Sequence, residues 1–391
     1  MRVLFTTLRV PSHFLPLVPF IAACRARGHE VAVAAPAELE ERTRKTGAAF
    51  HPFAHPGDAG LEPLWARMRA APDDAERSRI VIGEIFAGAC AGAAIPDLQA
   101  TVDRLRPEVI VREAQEYAAL VVAEEAGIPH VRVAIMAPAL DADLLPTAAR
   151  AVDVHRVRLG VPADPSGERA AREPVFTQFP AALDAPYPGS ERVRRFRAPR
   201  GEAKPLPAWW GERQGPLVYL TLGTVAGSME VARSAYRVAL SAVRELPARV
   251  LLTIGADLGL DVLGEVPANV HVERFVPQDE VLPHASAVVC HGGSGTVLGA
   301  LAAGVPLVVT PLFADQPGNA ERVAAACAGV ALPTQGVTAG ALRAAIDRVL
   351  RDGAFHRGAR RVADEIRALP AADEAPAELE RMAREVGSRP T

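Results

Sequence analysis

Three groupings of residues have types and spacing that could do chemistry. The densest lies at 291–316. His291 closes a short apolar run, Ala287–Cys290, and is followed by a Gly-Gly-Ser-Gly-Thr turn; from about Ser294 to Ala303 a helical pattern begins. Glycines let the backbone approach a ligand closely, and the unpaired N–H groups and positive dipole end of a starting helix face whatever lies over the turn. That makes an anion site, to which His291, Ser294 and Thr296 add side-chain donors. Thirteen residues after His291, Ala-Gly-Val-Pro leads into a second apolar run, LVVTP, beyond which come Asp315 and Gln316. The second grouping is His13 with Pro16, in the loop after the opening apolar run Val3–Phe5. The third is Glu113, with Glu116 close behind, at the end of the apolar run Val109–Val111. Taken singly, a loop histidine is usually a cap or a solvent-facing group, and a strand-tip glutamate is usually solvated.

The ordered run from Phe275 to Gln316 resembles the nucleotide-sugar signature of family 1 glycosyltransferases of the GT-B fold. The matching positions are Phe275, Pro277, Gln278, His291, Gly293, Gly304, Val305, Pro306, Asp315 and Gln316. The resemblance implies an α/β chain of two Rossmann-like parallel-sheet domains facing each other across a cleft. It implies a donor site made by Thr224, Phe275, Val276, Gln278, His291, Gly293, Ser294, Gly295, Thr296, Asp315 and Gln316. His13-Phe14-Leu15-Pro16 is similar to the family's His-x-x-Pro, which carries the catalytic base, with Ser12 where glycine is usual. Glu113 stands where the family places an acid, commonly Asp, that orients that histidine; Glu116 is the substitute.

The elements that must position these groups follow the same plan. Val3–Phe5 is expected as a strand, Leu15–Arg27 as a helix closed by Gly28, and Val31–Ala35 as the next strand, a doubly wound unit. Residues 53–95 read as turns and weakly amphipathic helices, a helical insertion whose Trp65 and Phe86, with Phe14 and Met136, are candidates to line an acceptor pocket, the alternative for the insertion's apolar residues being plain core. Strand, polar tip, helix, Ala-Gly-Ile-Pro and strand around Glu113 repeat around His291 with Ala-Gly-Val-Pro, at intervals of 14 and 13 residues. Two related halves are expected, as 391 residues also suggest: 1–200 for the acceptor, a Pro/Gly-rich linker at 201–215, and 216–391 for the nucleotide sugar, with the last helix able to pack back on the first domain.

Several classes of function lose support. A net charge of −3 with 23% charged residues carries no nucleic-acid footprint. No apolar run approaches the ~20 residues of a membrane span, and Met1–Pro11 lacks the apolar core of a secretion signal, so a cytoplasmic protein is expected. Four dispersed cysteines indicate neither a disulfide framework nor a zinc site. The absence of Gly-x-Gly-x-x-Gly after either opening strand leaves a nicotinamide or flavin cofactor unsupported, and the 137–184 stretch has no clean periodicity. Its Asp141-Ala142-Asp143 matches a metal-holding Asp-x-Asp only by chance, so no metal is expected.

Within the resembling family, the glutamate that grips the ribose hydroxyls is replaced here by Gly299, and Phe275 stands where Trp usually stacks on the base. These departures favour dTDP over UDP and the bacterial branch that places deoxysugars on macrolides, enediynes and aromatic polyketides. The expected activity is inverting, metal-independent O-glycosyl transfer to a hydrophobic small molecule by a monomer or homodimer. The alternatives are a UDP-hexose donor, a nucleotide-sugar epimerase, or a silent partner subunit.

Overall fold

Along the strands of the first unit, apolar side chains alternate between two buried clusters: Val3 and Phe5 lie in one and Leu4 in the other, and Val109 and Val111 are likewise separated from Ile110. Successive strand residues point to opposite faces, so this sheet is covered on both sides, as parallel sheets are. The structure is a computed structural model and describes residues 1–199, 215–223, 230–255 and 259–387.

The first unit comprises Met1–Gln178, Pro186–Pro199 and Pro370–Thr391, and the second comprises Phe179–Ala185 and Arg200–Leu369. The strands of the first are β1 (Arg2–Thr6), β2 (Glu30–Ala35), β3 (Ala49–Pro52), β4 (Val109–Glu113), β5 (His130–Val133), β6 (Val175–Thr177) and β7 (Val193–Arg195). They form one parallel sheet in the order β3-β2-β1-β4-β5-β6-β7. The second unit contains β8 (Leu217–Thr221), β9 (Arg249–Thr253), β10 (Val270–Glu273), β11 (Ala287–Cys290), β12 (Leu307–Val309) and β13 (Gly329–Ala331), ordered β10-β9-β8-β11-β12-β13. Both sheets therefore share the 3-2-1-4-5-6 order, and β4 and β11 occupy the same place in it. The order reverses beside the first strand of each sheet, and ligands of open α/β sheets bind off the carboxyl ends there.

Several elements go beyond what the sequence suggested. The tail from Pro370 belongs to the first unit: Leu379 and Met382, on helix Ala375–Gly387, share a buried cluster with Phe5, Phe20 and Val111, and Glu380 pairs with Arg27 and His29. Apart from Gly215, the expected linker lies outside the described residues. Residues 138–158 form one 21-residue helix, Pro138–Arg158, started by its N1 proline. Its inner face mixes Ala139, Ala148 and Ala149 with buried Asp141, His155 and Arg156, which hides the helical period in the sequence. The 53–95 stretch resolves into helix Gly57–Ala70 and a continuous helical run, Asp74–Leu105, whose middle, Arg79–Cys90, is π-helical. Against expectation, this 32-residue run is long and apolar enough to cross a membrane by length and composition. Half of its most apolar window is buried, and it packs on helix Pro138–Arg158.

Candidate active site

In the first unit, β1 delivers the chain to a loop and then to helix Pro11–Phe14. His13 sits on that turn with its side chain 13% exposed, and its Nδ1 lies 3.0 Å from Oε1 of the fully buried Glu113, the last residue of β4. The same Oε1 accepts the Gln115 backbone N–H at 2.8 Å, which fixes the carboxylate. Phe86, from the π-helical stretch, packs T-shaped against the His13 ring, with centroids 5.9 Å apart and planes at 78°.

Glu116 is committed elsewhere. It accepts from Thr6 Oγ1 at 2.7 Å and from the Ala118 and Ala119 N–H groups, so it caps helix Ala118–Ala126. Phe14, proposed from sequence for the acceptor, is 1% exposed and belongs to the core cluster of Phe20 and Val33. An adjacent residue on so short a helix turn points away from its neighbour, and here it points inward. Met136 is buried at 8% exposure. Trp65 is half-buried and joins Phe86 in a satellite cluster around Leu8, Ile85 and Cys90.

A buried charge cluster lies around these strand ends. Arg112 pairs bidentately with Glu173, which His130 also contacts at 3.2 Å. Burial alone would raise the Glu173 carboxyl, but Arg112 and His130 outweigh it and hold it far below the usual range. Asp141 pairs with Arg132 at 3.3 Å, both 1% exposed; burial pushes its carboxyl up against the pull of Arg132. Asp143 is exposed. Two positions apart on a helix, the two aspartates face different directions, so they do not form a joint ligand set.

In the second unit β11 leads into His291, whose ring is held between two glycines. A Cβ on Gly223 would lie 2.7 Å from its Cε1, and one on Gly293 2.5 Å from its Nε2. Burial lowers the imidazole pKa to about 4, so the ring is neutral near pH 7. Gly292 has φ +90°, and a Cβ there would meet Val309 at 2.7 Å; only glycine fits this turn. Helix Ser294–Ala302 starts immediately after, with Gly295 exposed and clear of neighbouring atoms within 4 Å of a Cβ.

The remaining donor-site candidates divide. Gln278 Nε2 donates to Thr296 Oγ1 at 3.0 Å, and Phe275 is 68% exposed, with its ring open for stacking, beside half-buried Val276. Ser294 Oγ is already engaged, donating to Asp315 Oδ2 at 2.6 Å. Gln316 is 3% exposed, and its Oε1 accepts the Leu312 and Phe313 N–H groups, bracing the loop before helix Gln316–Ala325. Thr224 lies outside the described residues. Two residues absent from the sequence expectation also belong here: Gly223, and Asn319, one helical turn after Asp315, which binds Gly292 O, Ser294 Oγ and Asp315 Oδ2.

Two sheets of one Rossmann order, with a histidine-carboxylate pair at the switch point of the first and a histidine-glycine turn opening a helix at that of the second, define a GT-B glycosyltransferase. Residues 237–382 match the family model described as Erythromycin biosynthesis protein CIII-like, C-terminal domain. The chain is 30% identical to 4'-demethylrebeccamycin synthase of Lentzea aerocolonigenes, over 95% of this chain and 96% of that one. It is 31% identical to L-demethylnoviosyl transferase of Streptomyces niveus, over 93% and 94%. The solved structure of glycosyltransferase VinC in complex with dTDP superposes with a TM-score of 0.78 at 26% identity, covering 98% of this chain and 100% of that one. The chain belongs to the bacterial natural-product branch of the family 1 glycosyltransferases.

Proposed function

We propose that the protein moves a deoxysugar from a dTDP-sugar to a hydroxyl of a hydrophobic aglycone, with inversion at the anomeric carbon and without a metal. The observation that carries this reading is the 3.0 Å contact of His13 Nδ1 with buried Glu113. A carboxylate at Nδ1 holds the Nδ1–H tautomer and leaves Nε2 with a free lone pair, the logic of the hydrolase triad. Nε2 takes the acceptor proton as the acceptor oxygen bonds to the anomeric carbon. The bond from that carbon to the phosphate oxygen breaks, and the diphosphate leaves with the electron pair. One displacement from the opposite face inverts the centre.

The leaving group's charge falls to His291, the backbone N–H groups opening helix Ser294–Ala302, and that helix's dipole. His291, being neutral, acts as a hydrogen-bond donor. Asp315 and the Gln316 amide nitrogen are assigned to the sugar hydroxyls, and Phe275 to the base. Support for dTDP comes from Gly299, where an added Cβ would meet Leu282 Cδ1 at 3.2 Å, so a longer ribose-gripping side chain has poor access. It comes also from VinC, whose structure holds dTDP.

The test is calorimetric titration of EDTA-treated protein with dTDP and with UDP, followed by transfer from dTDP-deoxysugars to hydroxylated polyketide-like aglycones. Tighter dTDP binding, EDTA-resistant turnover and an inverted anomeric coupling constant in the product's NMR spectrum are expected. Preference for UDP would reassign the donor; a retained configuration would rule out direct displacement.

A further inference from the structure

Asn319 is 1% exposed on helix Gln316–Ala325, and the two N–H bonds of its amide serve three acceptors in two segments, one proton being shared: Gly292 O at 2.9 Å and Ser294 Oγ at 3.1 Å in the turn, and Asp315 Oδ2 at 2.8 Å. We infer that Asn319 is a positioning residue that aims the Gly293 N–H at the donor's diphosphate and locks the diphosphate and sugar subsites into one unit. The inference rests on the donor-site reading above.

The aiming follows from peptide geometry. The peptide between Gly292 and Gly293 is planar and trans, so its C=O and N–H point in opposite directions. Asn319 draws the Gly292 carbonyl into the protein, and the Gly293 N–H is thereby turned the other way. Among the described residues that N–H has no acceptor. The turn cannot relax by other means, because Gly292 is left-handed at φ +90° and wedged against Val309 and Gln316.

The locking follows from Ser294 and Asp315. The Ser294 hydroxyl gives its proton to Asp315 and accepts from Asn319. It is therefore part of the scaffold, and the phosphate donors of this turn are backbone groups. Asp315 is held by Ser294 and Asn319 through the same Oδ2 atom. The residue before it, Ala314, has φ 56°, a left-handed conformation that a non-glycine residue keeps only when its surroundings fix it. The hydrogen bonds to Asp315 from Ser294 and Asn319 hold the neighbouring residue in place.

The test compares wild type with Asn319→Leu, which keeps the shape and removes the donor, by titration with dTDP and UDP and by thermal unfolding. Affinity for the nucleotide that wild type binds should fall about tenfold or more, the effect of misplacing a hydrogen bond to a charged group. The thermal midpoint reports whether the variant remains folded. Unchanged affinity overturns the role of Asn319. If the variant loses its fold, 15N-glycine labelling of wild type decides: the Gly293 amide proton should move downfield on nucleotide binding, and an unmoved resonance overturns the inference. Failure of wild type to bind either nucleotide would instead overturn the donor-site reading, independently of Asn319.

Discussion

Gly223, just past the end of β8, is built against His291, just past the end of β11: a Cβ on Gly223 would sit 2.7 Å from the imidazole Cε1. Real Cβ atoms do not approach so closely, and the glycine's φ of +80° is itself unfavourable for alanine. Gly223→Ala should therefore displace the ring proposed to donate to the diphosphate. The expected result is at least a tenfold weaker dTDP affinity by calorimetry, with a stability loss of about 1–3 kcal/mol in urea unfolding. Unaltered affinity would mean that the position of His291 does not matter for the nucleotide.

Burial sets the charge state of that ring. With its pKa lowered by burial from 6.5 to about 4, His291 stays neutral in the folded protein while the unfolded chain takes up a proton. Between those two values the unfolded state binds more protons, so stability falls as pH drops from about 6.5 to about 4. The contribution is about 3 kcal/mol. His291→Gln should remove it, so the stability difference between pH 7 and pH 4.5 in chemical denaturation should be smaller in the variant than in wild type. Identical pH dependence would contradict a buried neutral ring.

The dyad predicts a separation of chemistry from binding. His13→Ala should lower kcat by ~10²–10⁴-fold, the usual worth of a positioned general base, while dTDP affinity stays within about twofold. Glu113→Gln keeps the size of the side chain but not its charge, and should also lower kcat with donor KM nearly constant. A rise in donor KM in either variant, with kcat retained, would remove His13 and Glu113 from the proton transfer.

Asp141 is predicted to act through its buried pairing with Arg132. Removing one member of a buried pair leaves an uncompensated charge, so Asp141→Ala should cost about 3–5 kcal/mol in equilibrium unfolding. Asp143→Ala, at an exposed position, should cost under about 0.5 kcal/mol. If Asp141→Ala were as stable as wild type and turnover instead became dependent on added Mg²⁺ or Mn²⁺, the metal reading of this motif would return.

How much was readable depended on the range of the physics involved. The His291 turn, the helix after it and the strands around both were legible because a glycine turn, a helix start and an apolar run are each specified within about ten residues. The match of the loops around Glu113 and His291 likewise exposed two related halves; the 3-2-1-4-5-6 order of each sheet came from the structure. Helix Pro138–Arg158 escaped because its inner face mixes alanine with buried Asp141, His155 and Arg156, whose partners Arg132, Ala87, Gly88 and Glu124 lie elsewhere in the chain. Periodicity records apolar burial and is blind to buried polar groups paired at a distance.

By itself, the sequence determined the fold class, the two switch-point histidines and the family, because each is written in short ordered motifs whose chemistry is local. Tertiary structure alone decided which of those residues have free valences. Ser294 is spent on Asp315, Glu116 on a helix cap and Gln316 Oε1 on a loop, while Phe14 turns into the core. A hydrogen-bonding group can face a ligand only if no nearer partner has taken it, and some of those partners, Asp315 for Ser294 and Thr6 for Glu116, are brought close by packing across 21 and 110 positions of chain.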